Sequence, residues 1–288
     1  MDQVAVNLVE VFYVIAVLVL ISIGLAVVFG MMRVINLAHG EFLTLGGYAA
    51  IVSHGWGVNI YLAMMVVAPL TVAVFGLIVE RLIIRRLYGR LINTMLATWG
   101  LSLVMMGGFA MIFGNTTTGI ASPIGGVTVG NYQISGYTLL IIAVALLVLG
   151  LVYLVLVATR AGLIARGTMQ NSEMSSAYGF NPSRIYMLTF TGGAALSGLA
   201  GGVLAPLVGL NPASGANYIA KAFIAVISGG SSIVTGTIAS TALYGTVSHV
   251  FTVLSTPVIG EIALLVAALI LLKMLPTGIS GRFFNDRV

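Results

Sequence analysis

Long apolar runs separated by short polar or glycine-rich stretches make up most of the chain. Residues 11–32, 61–79, 91–113, 137–158, 185–210, 232–254 and 257–275 carry almost no charge within them, and most approach the roughly 20 residues that a helix needs to cross hydrocarbon. None alternates with period two, so they read as spanning helices and not as barrel strands. The stretch 33–54 is a second, more polar crossing. Residues 219–227 are apolar but short, reaching about half the hydrocarbon thickness before Ser228, Gly229, Gly230, Ser231 and Ser232 cut them off. The pattern predicts an all-α polytopic membrane protein with about eight spanning helices, a broken or re-entrant segment near 219–232, and one transmembrane domain over 1–288.

Composition agrees with that class and excludes soluble ones. Of the 288 residues, 59% are hydrophobic and 7% charged, and the mean hydropathy is +1.13, too little charge for a surface that faces water. The absence of cysteine rules out disulfides, thiolate metal sites and cysteine nucleophiles. The first run is flanked by Asp2 and Glu10 and lacks a positive leader and a small-residue cleavage site, so it reads as a retained helix. Arg81, Arg85, Arg86 and Arg90 form the densest basic cluster and should face the cytoplasm. Threading outward from them places the amino terminus outside, and the loop 159–184 and the carboxyl terminus inside. Lys221 alone among the 12 Lys and Arg residues then falls on the outer side. The net charge of +5 therefore reads as membrane orientation, not as nucleic-acid binding.

Candidate chemistry concentrates in Arg33–Tyr48, RVINLAHGEFLTLGGY. Asn36, His39, Glu41 and Thr44 lie here at membrane depth, where a carboxylate costs at least about 2 to 3 kcal/mol and should face protein or a wet cavity. Glu41 is expected to line or gate a solute path; Asn36 could equally serve as a helix cap. Thr94, Thr98 and Ser102 recur every fourth residue beside Trp99, giving one helix a hydroxyl stripe. Such hydroxyls commonly bond to their own backbone carbonyls instead. Gly229 and Gly230 mark the freed backbone of a broken helix, which can bind solutes with half-helix ends. Ala194, Gly198 and Gly202 form a ridge of small residues for close helix packing.

Several mechanisms find no residues. Neither Lys221 nor Lys273 ends a GxxxxGK[ST] pattern, so the polypeptide has no P-loop of its own. His39, His54 and His249 are too scattered for a metal site, and no nucleophile and base stand in catalytic spacing. No enzyme and no cofactor is expected.

Three motifs resemble one family, the first-type permease subunits of ABC importers for branched-chain amino acids and urea: INLAHGE at 35–41, TRAGLIARGTMQNSEMSSAYGFNPSR at 159–184, and ISGGSSIVTG at 227–236. The resemblance covers nearly the whole chain. It implies a bacterial inner-membrane complex with a second homologous permease, two cytoplasmic ATPases and a periplasmic solute-binding protein. The family's coupling loop, E-A-A-x-x-x-G, is matched in spacing by Glu173, Met174, Ser175 and Gly179, although the alanines are missing. The segment Gln170 to Gly179, with Asn171, Met174 and Tyr178, is expected to dock on an ATPase. ATWGLSL at 97–103, GTMQN at 167–171 and PTGISGRFF at 276–284 look more like the urea-type members. The expectation is inward transport of urea or a short amide, with branched-chain amino acids as the alternative. A proton-coupled transporter in which His39 and Glu41 titrate, a passive channel, and a membrane scaffold without transport are the competing classes.

Overall fold

The computed structural model describes residues 2–283 apart from 130, 131 and 231. Ser231 and Phe284, used above, and Arg287, which helps place the carboxyl terminus inside, lie outside the described residues. The elements are α1 (Asp2–Met32), α2 (His39–Gly55), α3 (Ile60–Leu82), α4 (Leu91–Phe113), the strands β1 (Gly126–Val129) and β2 (Tyr132–Ser135), and α5 (Gly136–Ala158). After them come α6 (Arg160–Gln170), α7 (Ser172–Ala177), α8 (Pro182–Leu204), α9 (Ser214–Gly229), α10 (Ile233–Leu254), α11 (Pro257–Met274) and α12 (Gly278–Phe283). Among the described residues, seven helices are long and apolar enough to cross a membrane. The chain is an all-α polytopic membrane protein, with a two-stranded antiparallel hairpin as its only described sheet.

Boundaries differ from the hydropathy reading in three places. The polar crossing 33–54 does not begin as a helix: Arg33 has φ 50 and the chain stays non-helical to Ala38. The Asn36 side chain accepts the Ala38 N–H at 3.1 Å, closing a local turn before α2 starts. The sixth run stops at Leu204, because residues 205–210 turn back and Leu210 pairs with Thr118 in an isolated antiparallel bridge. The short apolar piece 219–227 lies inside α9, a helix of 16 residues and about 24 Å. Its first turn, Ser-Gly-Ala-Asn, carries no hydropathy signal. Gly230, at φ 85, ends α9, and α10 begins anew at Ile233, so the break falls between two helices.

At the centre stands α8, whose small residues serve several neighbours at once. A β-carbon added to Ala194's partner Gly76 would meet Ala194 at 2.5 Å, and one on Gly198 would meet Ala68 and Val72, so the Ala194–Gly198–Gly202 ridge packs on α3. An adjacent ridge, Gly193 and Gly201, faces α1 and α2 at Gly24 and Leu43. Close backbone approach of this kind is the main source of helix association where no hydrophobic drive exists between helices. By contrast, α4 touches the rest of the bundle through a narrow stripe, Thr94, Thr98, Ser102, Met105 and Phe109. Its opposite side is bare, with Ile92, Val104, Met111 and Ile112 all more than two-thirds exposed.

Candidate functional site

The non-helical residues 33–38 carry backbone groups that no helix satisfies, and α4 supplies a partner. Thr98 Oγ1 accepts the Leu37 N–H at 3.0 Å while donating to the Thr94 carbonyl at 2.9 Å. Thr94 in turn donates back to Arg90 at 2.9 Å. The hydroxyl stripe therefore bonds along its own helix and also holds the unwound segment, the condition under which irregular backbone is tolerated at membrane depth. Thr98→Val should lower stability by about 1 to 3 kcal/mol, the cost of stranding a buried N–H, while Thr98→Ser should be near neutral. Thermal unfolding of the purified protein in detergent reads the difference.

His39 opens α2 and ties three helices together. Its Nε2 lies 2.7 Å from the Ile21 carbonyl of α1, and Nδ1 lies 3.2 Å from Ser197 Oγ of α8. Thr44 bonds within α2, to the Gly40 carbonyl at 3.2 Å. Glu41 is 2% exposed. Its carboxylate lies against Gly215, in the first turn of α9. Neither α2 nor α9 has a side-chain cap, so the positive ends of two helices meet around one carboxylate.

Asn36, His39, Glu41, Thr44, Thr98 and Ser102 are thus gathered around the start of α2, with Thr94 one turn away. Trp99 is 55% exposed and points away from the buried stripe, since one residue along a helix turns about 100°. Gly229 and Gly230 sit elsewhere: Gly229 packs against Gly236 of α10, and Gly230 against Thr277, Gly278 and Ser280. The arrangement also uses Ser197 and Gly215, whose roles depend on contacts with residues far away in the chain.

A cavity of about 490 Å³ lies along α4 past Ser102, and none of the clustered side chains lines it. One wall is apolar, from Leu103, Met106, Gly107 and Ala110 of α4. The other consists of Asn115 and Thr117 on one loop and Asn211, Pro212 and Ala213 leading into α9.

The loop expected to meet an ATPase folds as α6 and α7. Asn171 caps α7 by accepting the Met174 N–H at 2.9 Å, and Ser175 Oγ meets Thr168 Oγ1 at 2.8 Å, holding α7 on α6. Gly179, at φ 87, reverses the chain toward α8 in a conformation that favours glycine. Gln170, Asn171, Glu173, Met174 and Tyr178 are all exposed, Tyr178 to 77%. No cluster of three or more metal-ligating side chains occurs among the described residues.

A family model described as branched-chain amino acid transport system, permease component, matches residues 7–275. The high-affinity branched-chain amino acid transport system permease protein BraD of Pseudomonas aeruginosa is 31% identical over 290 residues, covering 91% of each chain. The corresponding protein LivH of Escherichia coli K12 is 26% identical over 282 residues, again 91% of each chain. A probable branched-chain amino acid transport permease of Methanocaldococcus jannaschii is 25% identical over 285 residues, 92% of this chain and 88% of the relative. No solved structure matches.

Proposed function

The chain belongs to the family of permease components of branched-chain amino acid transport systems, and we propose that it is the membrane-spanning subunit of an ATP-driven importer of those amino acids. The match across residues 7–275 carries this reading. It favours the branched-chain alternative over urea or a short amide, toward which the motifs at 97–103, 167–171 and 276–284 leaned. The apolar wall that Leu103, Met106 and Ala110 of α4 give the cavity is compatible with an aliphatic side chain.

In this reading a second homologous permease closes the bare side of α4, and the solute path runs past Glu41, Ser102 and the segment held by Thr98. Two ATPases supply the energy that a chain without a P-loop cannot, and a solute-binding protein delivers from outside, where the amino terminus lies. The exposed face of α7, with Glu173, Met174 and Tyr178, docks on an ATPase. In proteoliposomes holding the whole complex, leucine, isoleucine and valine should accumulate only with ATP inside, and urea should not. Gly179→Val should leave assembly intact but uncouple hydrolysis from uptake, because a β-branched residue is strained at φ 87. Leucine uptake that survives omission of the ATPases would refute the proposal in favour of a channel or secondary transporter.

A further inference from the structure

We infer that the turn joining α3 to α4 is a binding site for an anionic phospholipid, whose phosphate sits among Arg81, Arg86 and Arg90 while an acyl chain lies along α3. The inference starts from charge that the fold leaves uncompensated. Arg85 is taken, because it bonds to both oxygens of the buried Glu80 at 3.2 Å. Arg81, Arg86 and Arg90 are exposed and make no ion pair among the described residues. Two more exposed arginines without an ion pair there come from distant parts of the chain. Arg33 stands two residues before Ile35, whose carbonyl lies 3.3 Å from Thr98 Oγ1, and Arg184 two before Tyr186, whose ring meets Tyr88 at 5.1 Å. Positive charge thus gathers at one end of the bundle, and the carboxylate built into the turn, Glu80, is already neutralised.

The surroundings select a lipid among anionic partners. Leu70, Val74, Ile78 and Leu82 recur every fourth residue of α3, each at least 48% exposed, and form an apolar stripe about 18 Å long that ends beside Arg81. Such a stripe at the end of a spanning helix sets the arginines at headgroup depth, where their charged ends meet phosphate while their stems cover apolar surface. The turn is also held in shape by its own contacts. Ile84 is fully buried, the Tyr88 hydroxyl donates to Glu80, and Thr94 Oγ1 meets the Leu87 carbonyl at 3.2 Å. Guanidinium groups on a fixed frame bind phosphate oxygens in pairs. A zwitterionic headgroup carries the same phosphate but offsets it with its own ammonium, so the site prefers lipids of net negative charge.

The test titrates the purified full chain in detergent with phosphatidylglycerol or phosphatidylcholine and reads bound lipid by native mass spectrometry. Phosphatidylglycerol should bind the more tightly, and its advantage should shrink as salt is raised. Arg81→Gln, Arg86→Gln and Arg90→Gln should each weaken phosphatidylglycerol about fivefold, the share of one basic side chain at a charged surface. Their melting temperatures in phosphatidylcholine should equal that of wild type, because the three side chains are exposed. Lys273→Gln, the same loss of charge on α11, should bind within twofold of wild type. Inorganic phosphate, which has no tail to lay on α3, should not displace the lipid. Equal binding of the two lipids by wild type overturns the inference, as does an equal loss in Lys273→Gln, which would mark a diffuse charge effect. Displacement by phosphate would reassign the turn to a free anion. Arginine variants that bind phosphatidylglycerol as wild type does but no longer retain the ATPases would assign it to a protein contact.

Discussion

Gly201→Val is expected to prevent the bundle from assembling. A β-carbon on Gly201 would overlap the carbonyl oxygen of Leu43, with the Leu43 carbonyl carbon 2.6 Å away and its α-carbon 3.0 Å away. These are backbone atoms in mid-helix, so no rotamer change relieves the clash. The far side is no freer: Gly198 and Gly202, neighbours on the same helix, are already pressed on Val72, Ala68 and Met64 of α3. To admit the side chain α2 must move away from α8, which pulls His39 from Ser197 and Ile21. Overpacking alone costs about 1 to 3 kcal/mol, and the lost contacts of α2 add to it, a large part of a membrane protein's stability. Size-exclusion chromatography of the detergent-solubilised protein should show aggregate in place of a monodisperse peak. Gly100→Val, on the bare side of α4 with nothing within 4 Å of its added β-carbon, should elute as wild type.

Much of this could be foreseen from residue types alone, and the exceptions share a cause. The four-residue spacing of Thr94, Thr98 and Ser102 fixes a common helix face, and a carboxylate amid apolar sequence has few places to go but inward. Asn36 two residues before Ala38 suits a local turn. All of these signals are short in range. The partners of His39 are 18 and 158 residues away, and no spacing rule couples them. The true length of α9 was hidden because its first turn is polar and small, so hydropathy marked only the greasy middle. Trp99 looked like part of the stripe because it adjoins Thr98, yet adjacency along a helix places side chains on different faces. The solute was the hardest to read: motifs of five to nine residues pointed toward urea, while similarity spread over the whole length points to branched-chain amino acids.

Arg85→Met should destabilise the protein by about 3 to 5 kcal/mol, the cost of leaving a buried carboxylate without its cation. The two partners are unequal, since the Glu80 side chain is 0% exposed and the Arg85 side chain 38%. Losing Glu80 lets Arg85 turn toward water; losing Arg85 strands Glu80. Glu80→Gln should therefore cost much less, and the double variant should recover part of what Arg85→Met loses, a coupling that a double-mutant cycle measures by thermal unfolding. Tyr88 adds a third contact, its hydroxyl donating to Glu80 at 2.5 Å. Burial, and then the neighbouring carboxylate, raise the Tyr88 phenol above its ordinary value of 10.0. The fold thus keeps a proton that the unfolded chain releases, and stability from this group is full below that value and declines as pH rises past it. The cluster also grips the start of α8, through Arg85 to Met187 Sδ at 3.3 Å and the Tyr88 and Tyr186 rings at 5.1 Å. That start directly follows the exposed α7 loop. On its other side, Thr94 Oγ1 lies 3.2 Å from the Leu87 carbonyl and leads through Thr98 to Leu37. If α7 docks on an ATPase as proposed, these contacts link it to the segment that leads into Glu41, and Arg85→Met should then weaken the coupling of ATP hydrolysis to uptake as well as the fold.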